Sequence, residues 1–156
     1  MDYIFEMQNF EKEILNMDKP TSTILVKQTF TVWYLIVEGC SNLDDNILQS
    51  TLNRNINIIN KFYSTEVYLL FLKGWMYQIS PWFFDEKESS KGDYYLEYAY
   101  KKEPDNLLFK WALRESLNIN KNELKFIKFS IENDFHKYYI DYRLISEYFK
   151  RIIKDS

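Results

Sequence analysis

The chain has 156 residues, a net charge of −3, 46% hydrophobic and 28% charged residues, three glycines, three prolines and one cysteine. This balance is that of an ordinary globular domain and argues against long disorder, while a lone cysteine excludes an internal disulfide and a cysteine-rich metal site. Scarce glycine and proline favour long regular elements over the many turns of a sandwich or barrel, so the composition predicts one all-α domain.

The first residues, MDYIFEMQNFEKEIL, are acidic and lack the basic start and unbroken apolar core of a secretion signal. The longest apolar run, VWYLIVEGC, is interrupted by Glu38 and falls short of the roughly 20 residues that span a bilayer. Both features predict a cytoplasmic chain that does not enter the membrane. Tyr3, Met7, Phe10 and Ile14 share one stripe, which predicts a helix over 2–18 closed by Pro20. Residues 22–39 are rich in β-branched and aromatic side chains; they are assigned to a buried helix because no other segment offers a strand partner. Cys40 follows in apolar surroundings, which predicts a buried, inert thiol. Leu48, Leu52, Ile56, Ile59 and Tyr63 define a helix over 45–63, with Asp44 or Asp45 as its cap.

Ser64 or Thr65 is expected to cap the next helix, which runs from Glu66 through Gly74 and Tyr77 to its end at Pro81. The aromatic stretch FLKGWMYQISPWFF, residues 71–84, therefore straddles a helix end and a loop. Its members Trp75, Tyr77, Trp82, Phe83 and Phe84 are expected in the core, with Trp82 and Phe83, beyond the proline, the least secured. A further helix is predicted from about Ser90 to Pro104, then one capped by Asp105. Leu124, Ile127, Ile131 and Phe135 mark a helix over 121–135, and Tyr138, Tyr142, Ile145, Phe149 and Ile152 one over 138–153. The whole reads as about seven or eight helices packed as antiparallel hairpins.

Within this series, Gly74 and Tyr77, followed by Gly92, Leu96, Ala99 and Pro104, resemble the tetratricopeptide helix pair. The resemblance implies two helices in close approach. It departs from the pattern at Lys73, where the family has leucine, and in the longer connection WFFDEK. No second copy recurs at a fixed period.

Enzyme signatures are absent: no phosphate-binding glycine loop, no His-Glu-x-x-His, no Cys-x-x-Cys and no Gly-x-Ser-x-Gly. His136 is the only imidazole. Glu132 one turn earlier could approach it, but one histidine without a third ordered partner reads as a polar residue at a helix junction. The sequence implies no cofactor.

Charge is unevenly spread. Residues 1–50 have 8 acidic and 3 basic side chains, residues 51–105 have 8 and 7, and residues 106–156 have 7 and 10. The acidic clusters Asp44-Asp45 and Asp85-Glu86-x-Glu88 each precede a predicted helix, where carboxylates cap amides. They also suit docking to a basic partner, and they disfavour direct contact with nucleic acid. The basic residues at the carboxyl-terminal end, Lys150, Arg151 and Lys154, are too sparse for a nucleic-acid stripe.

YLLFLKGWMYQISPWFF and the helix pair after it, residues 67–106, resemble the small helical immunity proteins of bacterial polymorphic toxin systems, including contact-dependent growth inhibition. The resemblance implies a non-catalytic protein that binds one cognate toxin domain, often a nuclease, and masks its active site. Asp44, Asp45, Trp82, Phe83, Asp85, Glu86 and Glu88 are the candidate contact residues. The alternative is a tetratricopeptide-like adaptor holding a peptide or protein in an open aromatic groove.

Overall fold

Helix formation in this chain is set by stripes and caps, and the computed structural model, which describes residues 2–39 and 42–156, is all-helical. Among the described residues the helices are α1 (Tyr3–Leu15), α2 (Ser22–Glu38), α3 (Asp45–Phe62), α4 (Val67–Ile79), α5 (Glu86–Ser89), α6 (Gly92–Lys102), α7 (Leu107–Ala112), α8 (Lys121–Asn133) and α9 (Arg143–Lys154). Single 3₁₀ turns occupy Pro81–Phe83 and Phe135–Lys137. The expected all-α architecture is thus observed; the one-turn α5 is the element no stripe predicts. Cys40 lies outside the described residues.

The segment whose composition favoured a strand is the central helix. Thr21 caps α2 by accepting from the Ile24 amide at 3.3 Å, and Gly39 closes it in the left-handed conformation at φ 62°. Most of α2 from Ile24 to Leu35 is buried, and it packs on α1, α3, α4 and α9. A helix enclosed on all sides is apolar all round, so β-branched and aromatic residues suit it and amphipathic periodicity disappears. Its buried Gln28 is matched in full: the amide nitrogen donates to Met7 O and Glu11, and the amide oxygen accepts from Asn55 at 2.9 Å.

Phe149 of α9 gathers the core. Rings of Phe30, Phe71, Trp75, Phe135 and Tyr139 lie with centroids 5.4–6.4 Å from its own. These come from α2, α4 and the 135–139 segment, so one ring ties three parts of the chain together. Trp33, Leu35, Trp75, Leu96, Ala99, Trp111 and Ile145 are all buried in this core.

Three boundaries differ from the sequence reading. Glu66 rather than Ser64 or Thr65 caps α4, and Asn106 rather than Asp105 caps α7; Asn106 is also needed inside, where its amide donates to Tyr138 O at 2.7 Å. The last helix begins at Arg143, not near 138. Tyr138, Tyr139 and Tyr142 are buried. Tyr139 Oη donates to Tyr68 O at 2.7 Å, whereas Tyr142 Oη lies 2.9 Å from a Glu6 carboxylate oxygen and 3.0 Å from Thr31 Oγ1. A helix would set Tyr138 and Tyr142 on one face; instead Tyr138 ends the 3₁₀ turn and the backbone is extended at Tyr142, with φ −143°.

α4 and α6 make the closest helix pair. Gln78 meets Asp93, and Gly74, one turn back, meets Leu96, one turn on, so the two run antiparallel. A Cβ on Gly74 would stand 2.9 Å from Gly92 O and 2.9 Å from Leu96 Cγ. Alanine in place of a helical glycine ordinarily stabilises by about 0.5–1 kcal/mol. Here the clash with backbone reverses the sign, and Gly74→Ala should destabilise by about 1–3 kcal/mol. Gly92→Ala, whose nearest contacts would be 3.3 Å, should cost less. Urea unfolding midpoints of the two variants check this ordering.

Candidate partner-docking face

The end of α4 determines what the following loop exposes. Ser80 is buried, accepting from Trp33 Nε1 at 2.7 Å and donating to Met76 O at 3.1 Å. Pro81 then starts a 3₁₀ turn, because its ring fixes φ and supplies no N–H to continue α4. From that turn Trp82 projects into solvent, 72% exposed, while Phe83 and Phe84 are half-buried. Phe84 packs edge-on against Tyr77 at 4.7 Å. The aromatic stretch thus divides: Trp75 and Tyr77 are core, as expected, and Trp82 is not.

The acidic run after it divides as well. Asp85 caps α5 by accepting from the Glu88 amide at 3.2 Å, and Asp85 and Glu86 are exposed. Glu88 turns inward. It accepts from Tyr95 Oη at 2.8 Å and stands 3.2 Å from the ammonium of Lys73, which is only 2% exposed. Lys73 also donates to Asn60 Oδ1 and lies 4.2 Å from the centroid of the Tyr95 ring. Glu88 is therefore an internal counter-ion and not a free surface charge. The sequence reading, which grouped it with Asp85 and Glu86, missed this; the one signal was a lysine in a leucine slot of an otherwise apolar stretch.

Burial holds the Lys73 ammonium below its ordinary value of 10.5, and Glu88 offsets that only in part. At Glu88, burial pushes the carboxyl up, but the Tyr95 hydroxyl, Lys73 and Lys91, whose ammonium is 3.4 Å away, together outweigh it and hold the group below 4.5. The Tyr77 and Tyr95 phenols are pushed well up, mainly by burial, with Glu88 adding to it, so both stay neutral donors.

A second contact brings the other acidic cluster alongside. Asp44 caps α3, accepting from the Asn46 amide at 2.8 Å, and Asp45 is exposed. One turn later Gln49 donates to Phe83 O at 2.9 Å. The start of α3 and the 82–86 loop are thereby joined, with a cleft of about 400 Å³ beside them lined by Asn53, Ile56, Asn57, Asn60, Phe84, Asp85 and Glu88. Ile47 adds exposed apolar surface at the start of α3. Asp44, Asp45, Asp85 and Glu86 carry no ion pair among the described residues.

His136 is exposed and sits 3.0 Å from Asp134, not beside Glu132. The 3₁₀ turn, which starts after α8 has ended at Asn133, carries the imidazole away from the Glu132 turn. Among the described residues no group of three or more His, Cys, Asp or Glu side chains could hold a metal ion, and no helix is long and apolar enough to cross a membrane. No protein-family model, curated protein or solved structure matches the chain.

Glu88 lowers the cost of burying Lys73, so Glu88→Gln should destabilise the fold by about 2–4 kcal/mol at neutral pH. Because the carboxyl is held below its ordinary value, its contribution is complete above pH 4.5 and is lost as the pH falls through the lower folded value. The gap between wild type and Glu88→Gln should close over that acidic window. The lysine acts in the opposite sense: its cost is relieved as the pH rises through its depressed folded value towards 10.5. Lys73→Met, which removes the buried charge, should rescue Glu88→Gln. Denaturant titrations of the single and double variants measure this; a Glu88→Gln cost under about 0.5 kcal/mol would mark the pair as an ordinary surface bridge.

Proposed function

We propose that this protein is a non-catalytic inhibitor that docks a basic toxin domain, of the nuclease type, through the face built from the start of α3 and the 82–86 loop. One observation carries the reading. Of the acidic residues on this face only Glu88 is held in an ion pair, which leaves Asp44, Asp45, Asp85 and Glu86 without a counter-ion on the segments that carry an exposed tryptophan. An aromatic anchor with a charged rim is the usual layout of a binding hot spot. A domain that grips RNA or DNA must present positive charge where it does so, and carboxylates can occupy that site in place of phosphates.

The resemblance of residues 67–106 to small helical immunity proteins supports the same reading. An adaptor would present Trp75 and Tyr77 in an open groove; both are core residues, which favours the inhibitor. The partner in this reading is the toxin domain encoded beside the gene, and the complex forms in the cytoplasm. His136 has no part in it.

Binding of that neighbouring domain, followed by surface kinetics at two ionic strengths, tests the proposal. Asp85→Asn with Glu86→Gln keeps a capping side chain on α5 while removing two rim charges, and should slow association and flatten its salt dependence. Trp82→Ala should act on dissociation and cost upwards of about 2 kcal/mol, near thirtyfold in affinity. His136→Ala should leave inhibition unchanged. Wild-type protein that fails to bind the domain, or Trp82→Ala binding as tightly as wild type, would reject the proposal.

A further inference from the structure

The carboxyl-terminal third carries a surface that the acidic face does not use. On α8, Phe126 and Phe129 are 61% and 66% exposed, although Ile127 and Ile131 on the other side are buried. The exposed residues of the helix are Lys121, Asn122, Lys125, Phe126, Phe129, Glu132 and Asn133. At 100° per residue these fall on one arc. Phe129 and the asparagines run along its middle, Phe126 stands at one edge, and Lys121, Lys125 and Glu132 share the other, Lys125 and Glu132 being seven positions apart. Beyond that edge Lys128 is tied to Ser156 O, and beyond the opposite edge Glu123 is held by Lys110 of α7. Neither Lys125 nor Glu132 has an ion-pair partner among the described residues.

We infer that this arc is a two-fold contact between two copies of the chain, with the α8 helices antiparallel. The arc is complementary to itself in that direction alone. Reversing α8 about the midpoint between its phenylalanines lays Phe126 over Phe129 of the second copy and Asn122 beside its Asn133. The same operation sets Lys125 against Glu132 twice, once on each side of the axis. A parallel pair would carry the charged edges of the two copies to opposite sides of the contact, leaving Lys125 and Glu132 without each other, and would align the helix dipoles unfavourably.

Other occupants fit less well. A basic protein meets a third of the chain with 10 basic and 7 acidic side chains, and an anionic lipid surface meets Glu132 on the arc itself. α8 is about 20 Å long, so the contact lies at the small end of specific interfaces and the dimer is a weak one, with a dissociation constant in the micromolar range. The contact is independent of the acidic face and does not depend on the inhibitor reading.

Sedimentation equilibrium of the purified chain, from low micromolar to submillimolar concentration, tests it. Wild type should follow a monomer–dimer equilibrium, and Phe126→Ser with Phe129→Ser should be monomeric while keeping a helical circular-dichroism spectrum. Lys125→Glu and Glu132→Lys should each weaken the dimer by roughly tenfold or more, and the double swap Lys125→Glu/Glu132→Lys should restore it, which a merely disturbed helix would not do. A chain that is monomeric at every concentration, a dimer indifferent to these substitutions, or a swap that fails to restore would overturn the inference. So would a monomer that cosediments with phosphatidylcholine–phosphatidylglycerol vesicles in a Phe126- and Phe129-dependent way, which would assign the face to lipid.

Discussion

A buried ammonium sets the local organisation. Lys73 enters an apolar stretch of α4, and a charge taken out of water there must be met by a counter-ion and by hydrogen bonds. Glu88 supplies the first, Asn60 accepts a hydrogen bond, and the Tyr95 ring offers its face. Those partners come from α5, α3 and α6, so satisfying one lysine draws three further elements onto α4. The neighbouring Gly74 removes the side chain that would keep α6 away.

That requirement also shapes the exposed loop. With Ser80 fixed inside by Trp33 and Glu88 fixed inside by Lys73, the residues between them are held at both ends and cannot all turn inward. Phe84 takes the available apolar site against Tyr77, and Trp82, one step past the proline, is left in solvent. An exposed tryptophan on a restrained loop loses little conformational freedom on docking, which is what makes it effective as an anchor. Fold stability and the proposed binding function therefore meet in one short segment. They remain separable, because stability rests on Glu88 and the proposed binding on its neighbours.

How much of this was legible in the sequence depends on how local each decision is. The stripe of Leu48, Leu52, Ile56 and Ile59 placed α3 because periodicity alone decides it, and residues 22–39 were placed by the lack of any strand to pair with. Tyr138 and Tyr142 continued the stripe of α9 on paper, yet their hydroxyl and carbonyl groups find partners in α1, α2 and at Asn106. No local pattern encodes such distant contacts. The caps slipped by a residue or two because Ser64, Thr65, Glu66, Asp105 and Asn106 can all cap, and the turn geometry chooses among them. In the candidate face, the charges and the risk that Trp82 lies outside were readable. Which carboxylate turns inward was not, since that depends on Lys73 lying 15 residues away and facing it.

Amide hydrogen exchange of the chain, alone and mixed with the basic toxin domain that the proposal assigns to it, probes the proposed face most directly. Protection gained over residues 80–88 and the first two turns of α3, with α8 unchanged, is the result expected. Unchanged exchange in both segments, or new protection confined to other helices, would contradict it.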